Sequence, residues 1–120
     1  MERTLVCPVR TTLNVLGGKW KLLILSYLLE EPRRYGELKR LMPEITEKML
    51  IQELRDLEAD GIVARTVHQT VPPRVDYSLT EQGQSVRPFF SALLDWGFQY
   101  LDRDGASAPG QVPVHEQISR

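Results

Sequence analysis

Lys48, Gln52 and Arg55 are spaced four and three residues apart, and each stands two positions before a leucine: Leu50, Leu54 and Leu57. Residues two apart on an α-helix differ by roughly 200°. If this stretch is helical, the polar trio shares one face and the leucine trio the opposite one. A glutamine amide can bond adenine with donor and acceptor together, and arginine or lysine can bond guanine or phosphate. Thr46, Glu47 and Lys48, in the first turn, are best placed to reach base edges. Glu47 can accept from cytosine or repel a phosphate backbone. Ile51, between the faces, can pack inward or touch a thymine methyl. Arg65 and Arg74, near the tip of a following hairpin, suit phosphate contacts. His68, Lys19, Lys21, Arg33, Arg34, Lys39 and Arg40 are further candidate phosphate contacts. The plainer alternative is an ordinary solvated helix face with ordinary hairpin charges.

The elements that must position these residues follow from pattern and punctuation. Pro8 opens a short helix over 8–16, which Gly17-Gly18 ends. A second helix over 19–30 carries Trp20, Leu23, Ile24, Tyr27 and Leu28 as one stripe, with Leu22, Leu25 and Leu29 on its flanks. A helix apolar all round is a buried central one. Residues 31–34 read as a turn. A third helix over 35–41 places Leu38 and Leu41 inward, and Met42-Pro43 closes it. Thr46 caps the fourth helix, and Asp60-Gly61 stops it. Residues 62–68 and 74–79 read as strands joined by a stiff turn over 69–73. Thr80 caps a last helix with a broad apolar face from Val86 to Leu101, which Pro88 either kinks or splits.

At 120 residues and 42% hydrophobic content the chain is one domain with a core. The expectation is a domain over 1–102 and a flexible tail over 103–120. No apolar run is long enough to span a membrane, and the N-terminus lacks a signal-peptide pattern, so a cytoplasmic location is expected. One cysteine excludes an internal disulfide framework and a multi-cysteine zinc site; no metal or cofactor is expected. Net charge is −1, unlike many DNA-binding domains. Beyond residue 80, however, three basic residues face five acidic ones. The cations therefore concentrate in the helix–hairpin region, where placement counts for more than the sum.

The third and fourth helices, separated by Pro43-Glu44-Ile45, form a helix-turn-helix, and the hairpin follows as a wing. The fold class is thus mainly α with a small β-hairpin wing. The chain also resembles the HxlR-type winged helix-turn-helix regulators of bacteria. The resemblance rests on Cys7-Pro8, Gly17-Gly18-Lys19-Trp20, Arg34-Tyr35-Gly36-Glu37-Leu38, the runs 50–63 and 72–83, and Trp96. It covers about residues 5–101, with the motifs in order and at similar spacing. It implies a homodimeric transcriptional regulator, repressor or activator, that binds a pseudo-palindromic double-stranded operator. It also implies N- and C-terminal dimerisation helices, here 8–16 and about 80–102. Val86, Phe89, Phe90, Leu93, Leu94, Trp96 and Tyr100 are the candidate interface residues. Many relatives have serine where this chain has Thr46; the cap is kept and the contact there can change.

Some members of that family sense oxidants or electrophiles through a cysteine near the N-terminus, and Cys7 occupies the matching place. A thiol before a helix start, with Arg10 one turn on, sits in the setting typical of reactive cysteines. A lone cysteine can pair only between molecules or with a small thiol. The alternative is an inert residue. An oxidant or a small molecule between the dimer helices is the candidate effector.

A winged-helix protein-interaction module, working without specific DNA binding, is the competing function. The sequence carries no P-loop, Gly-rich dinucleotide turn, metal-spaced His/Cys cluster or nucleophile elbow, so no enzyme is expected.

Overall fold

The computed structural model describes residues 7–103. Among the described residues six α-helices and three strands follow one another: α1 Pro8–Leu16, α2 Lys21–Leu28, β1 Arg33–Arg34, α3 Tyr35–Leu41, α4 Glu47–Ala59, β2 Val63–His68, β3 Arg74–Leu79, α5 Glu81–Gln84 and α6 Arg87–Arg103. The expected flexible tail lies outside the described residues, except for Arg103, which ends α6.

The start and stop of α4 are fixed by local chemistry. Thr46 Oγ1 accepts a hydrogen bond from Met49 N at 3.1 Å, and Glu47 places an acid in the first turn. At the other end Gly61 takes φ +75°, a conformation side chains disfavour. Gly61 N then donates to Glu58 O and Ile62 N to Leu57 O, at 3.0 and 2.9 Å. This paired reverse bonding satisfies the last carbonyls and turns the chain into β2.

The core gathers Ile24, Leu25 and Leu28 of α2, Leu38 of α3, Ile45, the leucine trio of α4, Ile62, Val63 and Val86. The single buried polar side chain among the described residues, Ser26, donates to the Leu23 carbonyl within its own helix. Leu50, Leu54 and Leu57 are essentially inaccessible, at 0%, 1% and 0%.

Two local expectations are corrected, and one open alternative is decided. Residues 33–34 are not turn: Arg33 pairs with Tyr77 and Arg34 with Asp76, adding a short antiparallel strand to the hairpin in the order β1-β3-β2. Two residues carry no alternation that a pattern could detect, so only the partner strand reveals them. Leu41 is exposed, and Met42 fills the inward place beside Leu38. The chain leaves the helix at Met42 (φ −127°, ψ 67°), which redirects its side chain to the core. Of the two outcomes expected at Pro88, a kink or a split, the helix is split, with Pro88 in the first turn of α6, where a missing N–H costs nothing.

Thr80 joins the wing to this last segment. Its hydroxyl accepts from Gly83 N at 3.0 Å, and it lies 2.6 and 3.1 Å from the carbonyl oxygens of Gly61 and Ile62. Gly83 is required there, because a Cβ would overlap the Ile62 carbonyl. The same few atoms thus fix the end of α4, the root of β2 and the start of α5.

Candidate nucleic-acid interface

Burial of the leucine row turns the other face of α4 outward. Thr46, Glu47, Lys48, Gln52 and Arg55 are all exposed. Ile51 is also exposed, at 38%, so it belongs to the outer surface and not to the core. Among the described residues, Lys48 and Arg55 have no ion-pair partner. Gln52 does have one contact: its Nε2 donates to Asp56 Oδ1 at 3.0 Å, one turn on.

The wing does not present its two arginines alike. The hairpin register sets His68 opposite Arg74 at the tip, and Arg65 opposite Tyr77 in mid-strand. Arg65 therefore stands beside α4 and not near the tip as expected. It is exposed and, among the described residues, has no ion-pair partner. Arg74 Nε lies 3.4 Å from Asp76 Oδ1 without hydrogen-bond geometry, and among the described residues it has no hydrogen-bond partner. The second oxygen of Asp76 meets His68 Nε2 at 2.9 Å. A phosphate approaching Arg74 or His68 must therefore compete with Asp76, whereas one approaching Arg65 need not.

Between α4 and the sheet runs an open groove of about 560 Å³. Glu47, Ile51, Arg55 and Glu58 line it from α4, Arg65, Val75 and Tyr77 from the sheet, and Tyr35 from the start of α3. The Tyr35 hydroxyl is buried with no hydrogen-bond partner among the described residues. Loss of water around the ring raises its pKa, and Glu47 and then Tyr77 add to the rise. The phenol thus stays protonated and is a donor. Tyr35 and Tyr77 were not among the sequence candidates. Their place in the groove depends on β1 pairing with β3, which no local pattern announced.

Other candidate cations divide the same way. Lys21 lies 3.8 Å from both Glu53 and Asp56 of α4, and its side chain is only 13% exposed, so it braces α2 against α4. Arg33 is held by Glu30, Glu31 and the Tyr27 carbonyl. Lys19 sits 4.8 Å from the centre of the Trp20 ring. Lys39 Nζ reaches the Pro43 carbonyl at 3.4 Å. Arg34 and Arg40 are exposed on and before α3.

Away from this face, α1 and α6 are under-packed. The nine residues of α1 bury only Leu16, and the seventeen of α6 bury only Phe90. Val9, Leu13, Phe89, Leu93, Trp96, Tyr100 and Leu101 stay exposed. Val86 and Phe90, two of the expected interface residues, are buried within the chain itself, and Leu94 is half-buried. Trp96 and Tyr100 stack at 5.3 Å, with the Arg103 guanidinium 4.1 Å from the Tyr100 ring centre. Cys7 is exposed at the N-cap of α1; its backbone carbonyl accepts from Thr11 N, and its side chain caps nothing.

Comparison with known proteins agrees with this arrangement. The HxlR-like helix-turn-helix family matches residues 15–105. The HTH-type transcriptional regulator YkvN of Bacillus subtilis (strain 168) is 46% identical over 113 residues, spanning 94% of this chain and 96% of YkvN. The solved structure of the HTH-type transcriptional regulator ytcD is 49% identical, with a TM-score of 0.79 over 82% of this chain and all of that one. The redox regulator HypR in its oxidized form is 46% identical, with a TM-score of 0.75 over 78% of this chain and 96% of HypR. With its three-stranded wing and helix-turn-helix, this chain belongs to the HxlR-like helix-turn-helix family of transcriptional regulators.

Proposed function

We propose that this protein is a homodimeric regulator that binds a pseudo-palindromic DNA operator through α4 and the wing. One observation carries the reading: α4 presents Lys48, Gln52 and Arg55 on one exposed face, with Arg65 of the wing beside it. Thr46 and Glu47 open that helix at the end that enters a major groove in helix-turn-helix proteins. Arg65 serves the adjacent backbone, and Arg74 joins it only by exchanging Asp76 for a phosphate. The net charge of −1 supports a second reading, a protein-interaction module that uses the same surface. Salt separates the two, because release of counterions makes DNA affinity fall steeply as salt rises.

Dimerisation is supported by α1 and α6. Phe89, Leu93, Trp96 and Tyr100 recur at intervals of four, three and four, the spacing of a helix seam. Exposed aromatic and aliphatic residues in one stripe mark an interface. Two copies joined there would present two α4 helices to successive half-sites.

Cys7 is the proposed effector site. Its exposure at the start of α1, a helix that buries only Leu16, supports a thiol that reacts with an oxidant or electrophile and alters the seating of α1. The likeness to a redox regulator supports it further. A disulfide would join two chains or a chain and a small thiol.

Gel shifts with the DNA upstream of the protein's own gene test the first element. A salt-sensitive shift that survives competitor DNA is expected, and Gln52→Ala with Arg55→Ala should abolish it while the dimer persists. Full affinity in that double variant would remove α4 as the reader. Light scattering should give twice the 13.8 kDa chain mass for the wild type and the single-chain mass for Leu93→Glu with Trp96→Glu. An unchanged dimer mass would refute the interface. A mild oxidant or aldehyde should change the shift in the wild type and leave Cys7→Ser unaffected; an intact response in Cys7→Ser would place the sensor elsewhere.

A further inference from the structure

Gln52 does not stand alone on the outer face of α4. Its Nε2 donates to Asp56 Oδ1 at 3.0 Å. The other oxygen of Asp56 lies 3.8 Å from Lys21 Nζ on α2, and Lys21 is equally close to Glu53. At that distance the contact is between charges and is not a hydrogen bond. The side chains of Lys21 and Glu53 are 13% and 17% exposed, and that of Asp56 is 44% exposed. The chain of contacts thus runs from the packed edge of α4 to its outer surface.

An ionised carboxylate accepts hydrogen bonds and donates none. Only the nitrogen end of the Gln52 amide can face it, so the half-turn that exchanges nitrogen and oxygen is disfavoured. A primary amide carries two N–H donors and one carbonyl acceptor. With one N–H committed to Asp56, the amide shows outward its carbonyl oxygen and one remaining N–H. Adenine offers the complement in the major groove, an N6 donor and an N7 acceptor. Guanine offers two acceptors, N7 and O6, and the second would face the Gln52 carbonyl. A carboxylate near DNA is otherwise unfavourable, and Lys21 offsets its charge.

Resting on the assignment of α4 as the reading helix, we infer that Asp56, steadied by Lys21, is a positioning residue that sets Gln52 to accept adenine and reject guanine at one operator base pair. The role differs from that of Lys48 and Arg55, which no side chain among the described residues orients by an ion pair.

The test selects preferred duplexes from a random pool with the full-length protein. It then measures binding with A·T or G·C at the position whose preference Gln52→Ala removes. The wild type should favour A·T there by roughly 5- to 150-fold. Asp56→Ala should bring the two pairs near parity, with no loss of affinity for non-specific DNA. Asp56→Asn, whose carbonyl oxygen still accepts, should keep part of the preference. A preference retained in Asp56→Ala would overturn the positioning role and leave α4 as the reader. A G·C preference at the Gln52-dependent position would overturn the assigned amide orientation. A wild-type protein that selects no sequence would overturn both this inference and the DNA reading beneath it.

Discussion

The rotation of α4 about its own axis is the constraint on which the rest depends, and three leucines set it. Leu50, Leu54 and Leu57 are sealed against α2 and the sheet. Burying such a side chain contributes about 1.5–3 kcal/mol. Turning α4 by one residue would move all three toward water and carry polar groups into the core. The outer face is therefore fixed by the inner one. Lys48, Gln52 and Arg55 need no contact of their own to point outward. The cap at Thr46 and the reversal at Gly61 fix where that face begins and ends.

Charge is divided in a way the total hides. Lys21, Arg33 and Arg74 lie against carboxylates of the same chain, and Lys21 thereby links α2 to α4. Lys48, Arg55 and Arg65 have no such partner among the described residues, and all three are exposed. A net charge of −1 thus coexists with a local surplus of cations along α4 and the neighbouring strand. For attraction to a polyanion the local field matters more than the sum. Glu47 and Glu58, in the groove beside Arg55 and Arg65, confine that surplus to a narrow track.

Much of this was legible in the sequence because its signals are local. Thr46, Gly61 and Thr80 mark helix ends by their own backbone and side-chain chemistry, and the two-position offset between polar and leucine trios gives the faces of α4 by arithmetic. What was not legible depends on partners distant in sequence. β1 is too short to show alternation and exists only through Tyr77 and Asp76. Arg65 was misplaced because its height on the wing depends on the register of the hairpin. Lys21 read as a candidate phosphate contact because Glu53 and Asp56 lie more than thirty residues on. Phe90 and Phe89 are adjacent in an apolar run, and only packing shows that one is inside and the other out.

In the proposed complex the core-determined outer face of α4, with Arg65 beside it, lies against DNA phosphates and bases. The most direct measurement is the slope of log affinity against log salt for the wild type, Lys48→Ala, Arg65→Ala and Arg33→Ala. Each lost phosphate contact should reduce the slope by about 0.9. That reduction is expected for Lys48→Ala and Arg65→Ala, with an unchanged slope for Arg33→Ala, whose cation is already held by Glu30 and Glu31. Equal slopes in all four proteins, or a loss in Arg33→Ala alone, would contradict it.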